Sequence, residues 1–384
     1  MKEKTVRRYF IVLFSVAYLT FSFGQTRFTP FLSERGYDPF ERGLVLSAVA
    51  VGTMGLQVLF GYLTDKWQTA KKLALMALAL QLVLGSLLFS HTLDFLWYHV
   101  FVMGAYGGLC NTMTGQFDLW VLGINRKMQA AASYIRAFGS LGWAIGSLLA
   151  VYLVNRWDYF GLKWALFALM IGAGILMMRL PDATPKTTTR VINRDEIWTL
   201  LKRPDYILLT LTLFALYSLV VANNGIVIDK MLALGATGDQ VSFKWSLQAL
   251  VEIPMFFAIP LFTKKVRPVR LLQLSALVVC IQFIIYARTD SIQVLTWLGF
   301  LQMFTMPIIT IPSKFIIARL APEHLVNTAQ MVCLSVYSGV SSLFIPTIVG
   351  YFSTQVGFDS TLLGLSGLGV LAMLGTICFD RIRV

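Results

Sequence analysis

FERGLVLSAVAVGTMGLQVLFGYLTDKWQTAKKLALMALALQLVLGSLLFS, residues 40–90, holds two apolar runs joined by a short basic loop. A helix rises ~1.5 Å per residue, so crossing a ~30 Å hydrocarbon core takes ~20 mostly apolar residues. Residues 40–64 and 72–90 meet that length, and the pattern continues outward in both directions. Spans are predicted at 9–33, 40–64, 72–90, 94–122, 129–155, 160–179, 206–228, 240–263, 269–287, 291–318, 324–352 and 357–379. The reading is an all-α membrane protein of twelve transmembrane helices. Pro307 and Pro312 predict a break in the tenth span.

Composition agrees. Of 384 residues, 57% are apolar and only 13% charged, against about 25% charged in a soluble domain. The mean hydropathy is +0.71. The net charge of +13 does not indicate nucleic acid, because the charge is confined to one set of loops. Alternate loops hold 22 Lys and Arg on one side and only six on the other: Arg35, Arg42, Arg156, Lys163, Lys230 and Arg288. This asymmetry places both termini in the cytoplasm, and the expected location is the cell (plasma or inner) membrane. The first apolar run is too long for a signal-peptide core of ~7–15 residues and reads as an uncleaved span. Cys110, Cys280, Cys333 and Cys378 lie inside apolar runs without metal-ligand spacing.

The longest polar connection, LPDATPKTTTRVINRDEIWTLLKRPD at 180–205, divides the chain six spans from six. The expected domains are an N-terminal six-helix bundle at 1–180, a cytoplasmic linker at 181–205 and a C-terminal six-helix bundle at 206–384. Arg194 to Arg203 reads as a short surface helix. GYLTDK (Gly61 to Lys66) and PLFTKK (Pro260 to Lys265) end the second span of each half, which points to duplication.

The first of these, with Lys71 and Lys72 behind it, resembles the G-x-x-x-D-[RK] signature of the major facilitator superfamily; Gln68 stands where a second glycine is usual. The resemblance implies two six-helix bundles around a central cavity that opens alternately to each side. It implies that Asp65 and Lys66 belong to the inner gate.

Charges within spans are costly, ~2.5–3.5 kcal/mol at mid-bilayer on insertion scales, and so are functional candidates. They are Arg27, Arg136, Lys244, Lys314, Asp118 and Glu252. Lys244 and Lys314 are near enough to span ends to snorkel. Arg27 could snorkel or line a cavity. Asp118 and Arg136 lie at similar depth in antiparallel neighbours and can pair. Glu252 sits mid-span without an obvious basic partner, where its charged form is the expensive one, as a proton carrier requires.

Span 5 reads SYIRAFGSLGWAIGSLL. Arg136 and Trp143, seven residues apart, share a face. Gly139, Gly142 and Gly146 make an adjacent stripe suited to close helix approach. An indole stacks on the apolar face of a sugar ring, and a guanidinium with a carboxylate serves its hydroxyls. With Asp118 eighteen residues before Arg136, the segment resembles the lactose and sucrose permeases of the oligosaccharide:proton symporter family, in which the acid is usually Glu. The C-terminal half departs from that family. Gln302 and Thr305 stand at its span 10 His and Glu, Gln282 at its span 9 Arg, and Gln248 at its span 8 Glu, with Glu252 one turn later. Asn224 and Ser338 replace an acid–Lys pair. The neutral residues Gln248, Gln282, Gln302, Thr305 and Asn224 can hydrogen-bond a polyol.

The leading expectation is proton-coupled uptake of a sugar or similar polyhydroxylated solute. Asp118, Arg136, Trp143, Gln248, Gln302 and Asn224 would bind it, and Glu252 and Asp118 would carry the proton. The alternatives are a facilitator or exporter of amphipathic compounds, or an organic-anion carrier. A sensor would have a sizeable soluble domain. An enzyme would show clustered His and acids, and His91, His99 and His324 are scattered. No cofactor or metal is implied. The expected partners are the solute, protons and membrane lipids, with the chain acting as a monomer.

Overall fold

The computed structural model describes residues 3–382 apart from 68, 91–92, 94, 184–193, 264 and 323–325; at a few helical positions, Asp65 and Lys66 among them, only the backbone is described. Every regular element among these residues is helical: α1 (Glu3–Gln25), α2 (Phe28–Glu34), α3 (Pro39–Trp67), α4 (Lys71–Leu88), α5 (Leu96–Leu122), α6 (Arg126–Arg179), α7 (Arg194–Leu201), α8 (Pro204–Ala233), α9 (Gly238–Phe262), α10 (Pro268–Arg288), α11 (Ile292–Trp297), α12 (Met306–Leu320), α13 (Val326–Leu334) and α14 (Ser341–Ile382). In lipid an α-helix satisfies all its backbone groups within its own segment.

Among the described residues, eight helical stretches are long and apolar enough to cross a membrane. Two of them, Tyr134–Arg179 and Val332–Ile382, have 46 and 51 residues and so are twice the necessary length. Each contains a backbone break, at Trp157 and Asp158 in α6 and at Gly357 in α14. Counted as two crossings apiece, and joined by α5 and α9, they complete the twelve predicted spans. The tenth span breaks as its prolines predict. Leu298–Phe304 is a 3-10 helix ending at Thr305, since Pro307 has no N–H to give and its ring obstructs the carbonyl four residues earlier. The expected helix in the long connection is α7.

The duplication is visible in a turn. After α2, Gly36 has φ 79° and donates to Ser33 O at 3.0 Å, while Tyr37 N donates to Leu32 O at 3.2 Å. After α8, Gly235 has φ 86°, donates to Leu232 O at 3.0 Å, and is followed by Ala236 N to Met231 O at 2.9 Å. Both are glycine-terminated helix ends of one kind. Two residues on, each next helix opens with a reciprocal cap. Glu41 N donates to Asp38 Oδ1 at 2.8 Å and Asp38 N to Glu41 Oε2 at 3.0 Å. Thr237 N donates to Gln240 Oε1 at 2.9 Å, and Gln240 N to Thr237 Oγ1 at 3.4 Å.

The chain forms two compact units. Unit 1 comprises 1–37, 44–189 and 237–250; unit 2 comprises 38–43, 190–236 and 251–384. Unit 1 rests on two close helix seams. A Cβ on Gly142 would lie 2.1 Å from Ser15 O, and one on Gly146 would lie 2.6 Å from Leu19 O. Thus α1 lies directly on the predicted glycine stripe of α6. Likewise Gly104 and Gly108 of α5 meet Ala48 and Gly52 of α3 backbone to backbone. The buried aromatic residues Phe10, Phe14, Phe21, Phe117 and Trp120 fill the space beside these seams. In unit 2, Gly375 packs on Thr212 and Gly369 on Cys280.

Two caps tie α4 to the end of α6. The Asp182 carboxylate accepts from Thr69 Oγ1, Ala70 N at 3.1 Å and Lys71 N at 3.0 Å, taking up orphan donors at the start of α4. In return Lys71 Nζ donates to Met178 O and Leu180 O, both at 2.7 Å. Burial works to raise the Asp182 carboxyl, but the hydrogen bonds from Thr69, Lys71, Ala183 and Ala70 outweigh it and hold the carboxyl below its ordinary range.

Two outcomes follow for thermal unfolding of purified protein. Gly142→Ala should cost ~1–3 kcal/mol because backbone opposes the new methyl. Gly172→Ala, where a Cβ meets nothing within 4 Å, should be neutral or stabilise by up to ~1 kcal/mol; equal effects would contradict the seam. Asp182→Ala should cost ~1 kcal/mol at neutral pH, as loss of a helix cap does. A depressed carboxyl stabilises above its unfolded pKa and stops doing so as pH falls through its folded one. The gap between parent and variant should therefore close below about pH 4, and a gap unchanged at pH 3 would refute the cap.

Candidate functional site

In unit 1, Asp118 on α5 and Arg136 on the first half of α6 form an ion pair through Oδ2 and Nη1. Their side chains are 31% and 56% exposed, so the pair is open and leaves guanidinium donors to spare. Trp143, two turns on, is half-buried against the unit 1 core. The α1–α6 seam adds Tyr18, whose ring lies 3.1 Å from the Cβ position of Gly139. Its hydroxyl is buried without a hydrogen-bond partner among the described residues. Tyr18 was missed in the sequence; the signal was the glycine one turn after Arg136, which admits an aromatic ring.

Gln248, on the part of α9 that belongs to unit 1, is 4% exposed. Neither of its amide atoms has a hydrogen-bond partner among the described residues. Such a group costs ~1–3 kcal/mol until a partner arrives. Elsewhere on this stretch Ser246 bonds Ser147 at 2.7 Å and Ala144 O, and Arg27 Nη2 reaches Ser242 Oγ at 2.5 Å. These contacts sink the stretch into unit 1. Lys244 is consequently fully buried and does not snorkel as expected. Arg27, 2% exposed, is likewise enclosed. Lys314 is exposed, consistent with snorkelling.

In unit 2, the 3-10 stretch presents Gln302, which accepts from Asn223 Nδ2 at 3.4 Å and stands near the Glu252 carboxyl. Thr305 Oγ1 donates to Gln302 O at 3.0 Å, holding the break. Asn224, the predicted neighbour, is half-buried beside Asn223. Gln282 is engaged structurally, donating to Tyr286 Oη and Leu298 O, both at 2.9 Å. The side chains of Asp65 and Lys66 lie outside the described residues, as do His91 and His324.

A second charged group in unit 2 was not anticipated. Arg42 Nε lies 2.7 Å from Asp229 Oδ1, with side chains 8% and 8% exposed. Next in the chain, Lys230 Nζ lies 2.5 Å from Asp359 Oδ1 and donates to Tyr286 O at 3.0 Å. The predicted seventh span stops at 228, one residue short of Asp229, whereas α8 continues to Ala233. Pairing lets the helix carry both charges onward.

The fold and the open charged pair define a membrane transporter of the major facilitator type. The MFS_1 like family model matches residues 11–360, and the chain belongs to that family. A maltose permease from Geobacillus stearothermophilus is 26% identical over 334 residues, 80% of this chain and 78% of the permease. Among solved structures, the nucleoside transporter NupG superposes with a TM-score of 0.80 at 13% identity, over 98% of this chain and 99% of that one. A mutant form of it reaches 0.84 at 12% identity, over 97% and 99%. A bacterial homolog of the human lysosomal transporter Spinster gives 0.78 at 9% identity, over 99% and 98%. At these identities the structural likenesses speak for the fold alone.

The buried pair of unit 2 can be tested for stability. Asp229→Leu should cost ~3–5 kcal/mol by stranding Arg42, and the double variant Arg42→Met/Asp229→Leu should recover most of it. Additive losses in a double-mutant cycle of thermal unfolding would show that the two side chains do not pair.

Proposed function

We propose that this chain takes up a sugar or similar polyhydroxylated solute by alternating access, coupled to protons. The observation that carries the reading is the exposed Asp118–Arg136 pair two turns before Trp143. The Arg42–Asp229 pair, by contrast, is enclosed. The Asp118–Arg136 pair keeps donors and acceptors available, beside an indole face suited to a sugar ring. Gln248, buried with both amide atoms unpartnered, adds polar capacity that a hydroxylated solute would use. Gln302 and Asn224 in unit 2 offer neutral hydrogen-bonding groups. The relative named as a maltose permease supports the same solute class.

Glu252, near the neutral Gln302, is the proton-carrying group, with Asp118 as the second acid. Asp65 and Lys66 belong to the inner gate, on the resemblance of their motif. The connection at 181–205 links an N-terminal and a C-terminal bundle, both termini are cytoplasmic, and the monomer works in the cell membrane among its lipids. An organic-anion carrier would keep an unmatched cation for its substrate; here Asp118 already matches Arg136.

Sugar protection of tryptophan fluorescence on purified protein tests the site. Trp143→Phe and Arg136→Ala should each weaken binding of the same sugar by about tenfold or more, the scale of losing a charge-assisted contact. In proteoliposomes, Glu252→Gln should abolish accumulation driven by a pH gradient while leaving sugar exchange. A folded parent that binds no sugar defeats the solute assignment, and pH-driven accumulation by Glu252→Gln defeats the coupling assignment.

A further inference from the structure

Tyr18, on α1, is clamped from three directions. Its ring stacks on Phe14, with centroids 5.9 Å apart and planes 13° from parallel, and meets Phe21 at 5.8 Å and 44°. From α6, Cγ and Cδ2 of the ring lie 3.1 Å, and Cδ1 3.2 Å, from the Cβ position of Gly139. The ring thus lies face-on over the glycine, and any larger residue at 139 would push it away. Its hydroxyl is fixed with it, because a phenol oxygen lies on the axis of its ring.

That hydroxyl is buried and has no hydrogen-bond partner among the described residues. An unmet buried hydroxyl costs stability, and a phenylalanine would fill the same space without the cost. The groups that stand near it are Arg136, Asp118 and Thr114. Thr114 Oγ1 gives its proton to Asn111 O at 2.7 Å. Asp118 and Arg136 bond each other. Tyr18 therefore stands beside a charged pair that is satisfied without it.

The chemistry of the three groups decides what the hydroxyl can do. A guanidinium only donates, a carboxylate only accepts, and a phenol does both. While Asp118 faces Arg136, the carboxylate is the stronger acceptor and the phenol oxygen is left over. Once Asp118 is neutralised, or turns its oxygens to a solute, Arg136 loses that acceptor. The guanidinium sits on a long side chain that is 56% exposed and can turn, whereas the clamped phenol cannot. Resting on the site assigned above, we propose that Tyr18 is the reserve partner of Arg136. It takes the guanidinium when Asp118 releases it, and so keeps the cation in place while the pair is open. Tyr18 is a positioning residue that acts through Arg136.

The test is a mutant cycle of thermal unfolding on the purified full chain. Tyr18→Phe should leave the unfolding temperature of the parent unchanged or raise it, since no hydrogen bond is lost. Asp118→Ala should fold, because an open pair contributes little to stability. In that background Tyr18→Phe should lower the unfolding temperature by about 2 °C or more, the scale of one hydrogen bond. The lowering should vanish once Arg136→Ala is added. A loss already present in the parent would mean that the hydroxyl is bonded in the resting pair. No loss in Asp118→Ala, or a loss that persists without Arg136, would mean that the ring only packs. Each of these results overturns the reserve role. No solute is present in the measurement, so a failure of the sugar assignment leaves its outcome unaffected.

Discussion

The approach of α1 to the first half of α6 is the contact on which unit 1 depends. Lipid tails are as apolar as the helices themselves, so no hydrophobic gain draws two spans together. What remains is van der Waals contact, which requires backbones to come within reach of one another. Gly142 and Gly146 permit this against Ser15 and Leu19. The same stripe sets Tyr18 on Gly139, one turn from Arg136, and so decides what surrounds the guanidinium. The α3–α5 seam repeats the device and delivers Thr53 to Asn111. The polar groups of this unit are positioned by residues that have no chemistry of their own.

Charge is handled in two different ways. Arg42 with Asp229 and Lys230 with Asp359 are pairs in which at least one partner is almost wholly enclosed. Arg42 is met by Asp229, and Lys230 by Asp359 and the Tyr286 carbonyl. Asp118 with Arg136 is a pair whose guanidinium is more than half exposed. The Coulombic benefit of an open pair is small, so stability alone is a weak reason for placing it within a span. Exposure, more than pairing, separates the two cases.

The span pattern was legible because length and apolarity are local properties, and because Pro307 and Gly357 mark breaks in the chain itself. The Asp118–Arg136 ion pair was legible because its members lie at similar depth on adjacent spans. Lys244 was misread because depth along one helix says nothing about what packs over it; serines at 147, 242 and 246 decide that. Asp229 was missed because a charge was taken as the end of a span, although a partner distant in sequence carries the helix past it. The bond from Asn223, not Asn224, to Gln302 depends on helix rotation, which one sequence does not fix. The matched Gly36 and Gly235 turns were readable in G-x-D-x-x-E and G-x-T-x-x-Q and went unnoticed.

Those turns show what duplication retains. A helix reversing at a membrane surface must end its carbonyls and begin its amides within a few residues, and a positive-φ glycine with a reciprocal cap does both. That constraint is the same in both halves, and so is the solution. The polar groups between the turns obey no shared constraint beyond being satisfied. Unit 1 has a charged pair on α5 and α6 and an amide–hydroxyl chain, Gln25 to Asn111 to Thr53, on α1, α5 and α3. Unit 2 has Glu252 near the neutral amide of Gln302 at a proline-induced break. A backbone problem solved twice in one way has thus left the side chains between the turns free to diverge.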